Sequence, residues 1–241
     1  MTINDYFDIL LLIARPGAGK SEVIDYLKHT PIAERIQRFH VGEIREFDDF
    51  PILWGWFEED YLLNRMGHPR LHTNEGGYFL HQYFWDELVE NLCFQYEKMV
   101  KNGEQSGTTA LMEFSRGSEH GGYTSAFAHL SRLVIARASI LYIDVSWEES
   151  LRKNRKRFNP NKPDSILEHS LPDEKLARLY RETDFHEIAK QNPEYLSIQG
   201  INVPYEIFDN QDDVTTNRGA ELGVRLEECL NRLWLRNTTR S

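Results

Sequence analysis

The sequence is short of the features that would place it outside ordinary globular proteins. Two cysteines in 241 residues, Cys93 and Cys229, exclude a disulfide framework and lack metal-ligand spacing; both lie in helix-like apolar patterns and fit a reducing cytoplasm. Long apolar runs are missing as well. The best, from Phe7 to Ala14, contains Asp8, lacks a basic leader and is far too short for a membrane span, so it reads as a buried strand and the membrane is excluded as a partner. Basic charge is also scarce, with 28 Lys and Arg against 38 Asp and Glu. The resulting net charge of -10 disfavours nucleic acid as a partner and requires any phosphate-binding cation to act locally. Internal repeats and low-complexity tracts are absent. What is present, 40% hydrophobic and 27% charged residues, suffices for a real core and suggests one compact domain over residues 1–241.

Short, mostly unbroken apolar segments predict strands at Phe7 to Ile13, Gln37 to Val41, Thr108 to Phe114, Ile140 to Val145 and Tyr205 to Phe208. Helical spacing runs through Val23, Ile24 and Leu27; Phe84, Leu88, Leu92, Tyr96 and Met99; Ala126, Leu130, Leu133 and Val134; Leu176, Leu179, Tyr180 and Thr183; and Leu222, Leu226, Cys229, Leu230 and Leu233. The alternation is that of an α/β sheet with helices on both faces.

The segment Ala14-Arg15-Pro16-Gly17-Ala18-Gly19-Lys20-Ser21 fits the phosphate-loop pattern G-x-x-x-x-G-K-[ST] at its last three fixed positions, with Ala14 where the first Gly is usual. Gly17 and Gly19 let backbone N–H groups turn toward an anion, and the following helix presents its positive end. Lys20 can reach terminal phosphates and Ser21 can hold Mg²⁺, with Arg15 and Ala18 as further loop contacts. A ligand-free Gly-rich turn is the bland alternative; the motif's place between a buried strand and a helix argues against it.

Asn161-Lys162-Pro163-Asp164 formally matches a guanine-recognition tetrapeptide, but it follows the basic Arg152 to Arg157 stretch instead of a buried strand and contains a helix-breaking Pro. The third strand ends in Glu113-Phe114-Ser115-Arg116, not in D-x-x-G. With the phosphate loop, that ending resembles the P-loop small-molecule kinases, in particular nucleoside and nucleotide kinases, where an acidic residue closing a central strand is followed closely by Arg. The deoxynucleoside kinases usually carry acidic-Arg-Ser, whereas here Ser115 precedes Arg116. The resemblance implies a three-layer α/β P-loop NTPase fold with a five-stranded, mostly parallel sheet of order 2-3-1-4-5, helices on both faces and a lid. It also implies ATP and Mg²⁺, an acceptor site between the second and third strands, Glu113 as general base or Mg²⁺-water ligand, and Arg116 as a phosphate or acceptor contact. A plain sheet-edge role for Glu113 stays open.

Ser146 and Glu149 form a capping-box pair that starts a helix on which Arg152, Arg155 and Lys156 share a face. In the resembling kinases such a helix leads into a lid, here 150–172 with its mobile part from Phe158 to Leu171, whose cations neutralise the transferred phosphoryl group. A solvated basic face is the alternative. Residues 204–213, including Asn210, correspond to the loop that wraps adenine in those kinases, or form an ordinary polar turn.

Residues 41–102 are too long for a simple crossover and mix aromatics with charge, which suits a ring bearing hydroxyl or amino groups. Glu43, Asp48, Arg65 and Arg70 are the candidate acceptor contacts. His68-Pro69-Arg70-Leu71-His72 has metal-like spacing without a third ligand. The expected function is ATP-dependent, Mg²⁺-assisted phosphoryl transfer in the cytoplasm to a small acceptor, a nucleoside or nucleotide first. A regulatory ATPase without an acceptor and a polynucleotide kinase are the rivals, and a homodimer is an open option for oligomeric state.

Overall fold

The computed structural model describes residues 5–157, 161 and 170–240. Among these residues six strands, β1 (Ile9–Ala14), β2 (Glu43–Asp48), β3 (Thr108–Phe114), β4 (Ala138–Asp144), β5 (Tyr195–Ile198) and β6 (Ile201–Asp209), form one sheet of order β2-β3-β1-β4-β6-β5. All neighbours are parallel except the β5–β6 pair.

β1 is central because every one of its side chains is apolar and can be buried. Its alternation divides the core: Ile9, Leu11 and Ile13 join one cluster, and Leu10, Leu12 and Ala14 join the other. β2 reads Glu-Ile-Arg-Glu-Phe-Asp with only Phe47 buried, so it lies at an edge.

The described helices in chain order are α1 (Lys20–His29), α2 (Ile32–Phe39), α3 (Phe50–Arg65), α4 (Tyr83–Lys101), α5 (Gly122–Ala128) and α6 (Arg132–Ile135). They continue with α7 (Trp147–Arg157), α8 (Asp173–Tyr180), α9 (Phe185–Ala189), α10 (Val214–Asn217) and α11 (Ala220–Thr238). Apolar residues of α1, α2 and α11 cover one face of the sheet, and those of α4, α5, α6 and α9 cover the other. Leu176, Leu179 and Tyr180 of α8 form a third cluster with Tyr78, Trp147 and Leu151. Among the described residues, no helix is long and apolar enough to cross a membrane.

The expected α/β sheet with helices on both faces is present, and β1, β2, β3, β4 and β6 keep the order expected for five strands. Three local readings change. Gln37 to Val41 is not a strand: Ile36 to Phe39 ends α2, whose apolar side packs Phe39 into the core, and the second strand comes later at Glu43. The pattern from Ala126 to Val134 is two short helices, split where Ser131 caps α6 by accepting from the Val134 amide at 3.4 Å. An antiparallel strand, β5, extends the sheet beyond β6, turning back at Gln199-Gly200, both with positive φ. The tetrapeptide's Lys162, Pro163 and Asp164 and most of the segment 158–171 lie outside the described residues.

Thr109, fully buried in β3, ties three segments together: its hydroxyl donates to the Phe7 carbonyl at 2.8 Å and accepts from the Gly42 amide at 2.8 Å. Thr109→Val keeps the shape and strands both partners, so it should lower unfolding stability by about 2 kcal/mol, measured by urea denaturation.

Candidate active site

The phosphate loop lies where β1 stops and α1 begins, at the carboxyl edge of the parallel strands. Gly17 and Gly19 take positive φ values of 73° and 107°, and a Cβ on Gly19 would fall 2.5 Å from the Thr215 hydroxyl, so this turn excludes larger residues. Three of the loop's carbonyls are bound by other elements. Ala14 O accepts from the Tyr123 hydroxyl at 3.1 Å, Pro16 O from the Ser150 hydroxyl at 2.7 Å, and Ala18 O from Asn210 Nδ2 at 2.8 Å. The first N–H groups of α1 have no partner within the helix and open onto a cavity of about 270 Å³.

That cavity is lined by Gly17 to Glu22 with Arg152, Lys153, Lys156, Arg157, Thr216 and Arg218, a strongly cationic wall in an acidic protein. A second cavity of about 200 Å³ adjoins it, since Lys20, Ser21 and Arg157 line both. Its floor carries Asp48, Asp49 and Glu113; Phe50, Trp85, Phe114 and Tyr180 contribute its walls. A larger groove of about 450 Å³ opens beside β5, but its lining of neutral amides, hydroxyls and apolar groups lacks any charge for an anion.

β2 and β3 are in register with Asp48 opposite Glu113, so two carboxylates end neighbouring strands side by side. Burial and the nearby Asp48 and Asp49 push the Glu113 carboxyl up to about 7, opposed by Lys20. Burial, with Asp49, pushes Asp48 up to about 6. Lys20 Nζ donates to Ser115 Oγ at 2.9 Å. Behind them, buried Arg116 holds Asp49 Oδ2 at 2.6 Å and donates to the Trp85 carbonyl at 2.9 Å and the Ser115 carbonyl at 2.8 Å. Its guanidinium lies against the Trp85 and Phe114 rings. Trp85 also stacks on His120, ring centroids 3.7 Å apart.

Of the residues expected from sequence, the structure gathers Gly17, Ala18, Gly19, Lys20, Ser21, Asp48, Glu113, Arg116 and Arg152 around the two cavities. Arg15 does not line them: its guanidinium donates to the carbonyls of Val145, Tyr180 and Arg181. Asn210 is fully buried and spans Ala18 and Thr215, so it shapes the loop. Arg155 turns instead to Asp173, the carboxylate that starts α8, at 2.6 Å. Arg152 is held by Glu149 and Asp213.

Three expected acceptor contacts stand elsewhere. Glu43 begins β2, about 17 Å along the strand from Asp48, and faces Arg35 at 3.7 Å. Arg65 ends α3, about 22 Å along its axis from Phe50. Arg70 donates to Thr73 and lies near Asp60, whose buried carboxylate collects the amides of Leu71, His72 and Thr73. His72 stacks on Trp56 and pairs with Glu59; among the described residues, no group of three or more His, Cys, Asp or Glu could hold a metal.

Sequence reasoning gives no site role to Asp49, Ser115 or Trp85, and it singles out Arg152 and Arg155 among the α7 cations where Lys153, Lys156 and Arg157 also line the cavities. A signal existed for α7: Ser150, Lys153, Asn154 and Arg157 follow i, i+3, i+4, i+7, and the first three are buried against the loop, whereas charge alone had favoured the opposite face.

The chain thus resembles the P-loop small-molecule kinases in its phosphate loop and strand order. No family model and no curated protein matches it. Among solved structures it is similar to a sugar kinase from Janibacter sp. HTCC2649, at 12% identity and a TM-score of 0.44, covering 97% of this chain and 98% of that one. It is also similar to a shikimate kinase from Acinetobacter baumannii, at 14% identity and a TM-score of 0.34, covering 73% and 76%. At TM-scores this low the likeness assigns no activity to this chain.

A carboxyl whose folded value lies above its unfolded one binds its proton more tightly in the native state, so its stabilising effect is full below the ordinary carboxylate range and is lost as pH rises through about 7. Glu113→Gln removes that loss. Its melting temperature relative to the parent should therefore rise between pH 5 and pH 8, by the equivalent of up to about 3 kcal/mol, read by calorimetry across that range.

Proposed function

We propose that this chain is a cytoplasmic, Mg²⁺-dependent kinase that moves the γ-phosphoryl group of ATP to a hydroxyl of a small acceptor. The observation that carries this reading is the junction of the two cavities. A cationic cradle of amides, lysines and arginines meets a carboxylate-floored, aromatic-walled cavity at Lys20 and Ser21. Phosphoryl transfer consists mostly of positioning and charge neutralisation, which is what this pairing supplies.

At the junction the Ser21 hydroxyl, beside Lys20 in both cavities, is the hard oxygen that would hold Mg²⁺. When bound, the metal neutralises phosphate oxygens. Lys20 would turn from Ser115 to the terminal phosphate, with the loop amides and the α7 cations spreading the remaining charge. Glu113 accepts the acceptor's hydroxyl proton as the new oxygen–phosphorus bond forms and the bond to the bridging oxygen of ADP breaks. Its carboxyl, raised to about 7, is well matched to proton transfer near neutral pH. Arg116 is a positioning residue that fixes Asp49 and the Trp85 backbone. Buried, free Cys93 and Cys229 support the cytoplasmic setting.

Lys20→Ala should reduce transfer on the order of 10²-fold while the fold persists. Glu113→Gln should reduce kcat by a similar factor with ATP affinity changed much less, since a proton acceptor acts during transfer. Coupled ADP release, scored beside detection of a phosphorylated acceptor, measures both; inorganic phosphate as the sole product would defeat the kinase assignment.

A further inference from the structure

Arg15 belongs to the phosphate loop by its main chain and to another part of the molecule by its side chain. Its backbone opens the turn Arg15-Pro16-Gly17-Ala18, which the Ala18 amide closes by donating to the Arg15 carbonyl at 3.3 Å. Proline in second place and Gly17 at φ 73° in third are the residue pattern of a type II turn. Arg15 and the loop therefore move as one piece. The guanidinium points away from both cavities and donates to three main-chain carbonyls: Val145 at 3.0 Å, Arg181 at 3.1 Å and Tyr180 at 3.3 Å.

Two of those carbonyls end a helix, since α8 runs from Asp173 to Tyr180 with Arg181 as its cap residue. The last carbonyls of a helix have no partner within it and carry the negative end of its dipole. A planar cationic fork suits such a pair, and here it arrives from a loop 165 residues earlier in the chain.

α8 in turn forms part of the wall of the second cavity. Buried Tyr180 lines that cavity and meets His120 edge-on, ring centroids 5.2 Å apart, while His120 stacks on Trp85, another wall residue. A Cβ on Gly117 would fall 1.9 Å from the Leu179 carbonyl, so the chain leaving β3 and the last turn of α8 are in backbone contact. Further along, α8 grips the segment between α3 and α4. Lys175 donates to the Gly77 carbonyl, and the Arg178 guanidinium lies 4.1 Å from the Tyr78 ring centroid. The helix thus spans from the phosphate loop to the wall of the neighbouring cavity, and Arg15 fastens its loop end.

We propose that Arg15 is a positioning residue that couples the two cavities: by capping α8 from within the phosphate loop, it makes the order of the Tyr180 wall depend on whether the loop holds an anion. This inference rests on the reading above that the loop binds the phosphates of a nucleotide. An anion on the loop amides restrains the turn, the restraint passes through the guanidinium to the end of α8, and the wall is steadied for a second ligand. Coupling is reciprocal, so a ligand in the second cavity tightens nucleotide binding by the same factor.

The test is amide hydrogen exchange in the full-length protein with and without saturating ADP and Mg²⁺. In the parent, ADP should slow exchange in the phosphate loop and α1, and by about threefold or more in residues 174–181 and 117–121 relative to the β5–β6 hairpin, which reports the general stabilisation by a bound ligand. Arg15→Met should keep the protection of the loop and α1 and lose the excess at α8. Arg15→Lys, with the charge but not the fork, should restore less than half of that excess. A cap that only stabilises α8 predicts faster exchange there by the same factor with and without ADP, and that result would overturn the coupling. So would a parent in which ADP protects the loop and leaves 174–181 and 117–121 unchanged, an outcome under which the phosphotransferase reading stands. No ADP-dependent protection at the loop would defeat the nucleotide reading and this inference together. The parent measurement needs no variant and decides alone should Arg15→Met fail to fold.

Discussion

A tight turn that opens its amides to a cavity must dispose of its carbonyls elsewhere, and much of this molecule is arranged around that requirement. The carbonyls of Ala14, Pro16 and Ala18 are taken by Tyr123 from α5, Ser150 from α7 and Asn210 from the turn after β6. Each clamp comes from a different element, so the loop takes its shape only when those parts of the sheet and its helices have assembled. Arg15 adds a fourth tie, through three carbonyls around α7 and α8. A buried donor left without its acceptor is costly, which makes the loop's geometry and the packing of these helices mutually dependent.

The second constraint is electrostatic. Asp48, Asp49 and Glu113 crowd one end of β2 and β3, and only Asp49 has a buried arginine of its own. Replacing that arginine would leave a carboxylate uncompensated in the interior, a change that typically costs about 3–5 kcal/mol. The other two carboxyls answer crowding and burial by holding protons more tightly than usual. Stability is thereby given up at neutral pH, a pattern commoner at functional sites than at purely structural ones.

Counter-charges also organise the cations of α7. Lys153 packs inward, with Nζ 2.5 Å from Asp213 and 3.1 Å from the Thr215 hydroxyl, while Arg152 reaches Asp213 from the rim at 2.7 Å. Asp213 thus serves as an internal counter-charge beside the phosphate cavity, and it occupies a left-handed backbone conformation, φ 58°, where the turn after β6 enters α10. Basic residues are kept at this wall of an acidic protein by nearby carboxylates that anchor them without leaving the cavity acidic.

The sequence by itself determined the features whose physics is local. A fully apolar run had to be a buried central strand, and a Gly-Lys-Ser turn between it and a helix had to expose amides, so β1, the phosphate loop and α1 were legible, as were the amphipathic faces of α4 and α11. Helical and strand periods also located β3, β4 and β6 to within a few residues. Edge strands were not legible: β2 is mostly polar and β5 has four residues, and each is specified by the partner it pairs with. Membership of the candidate site divides the same way. A motif or a strand end names Lys20 and Glu113, which line the adjoining cavities, whereas only charge type names Glu43, Arg65 and Arg70, and charge type carries no distance. Only tertiary structure decided that Asp49 meets Arg116 across 67 residues of chain, and that Lys153, not Arg155, faces the loop. Those choices depend on strand register and on which side of a helix meets the sheet, and both are set by contacts far away in sequence.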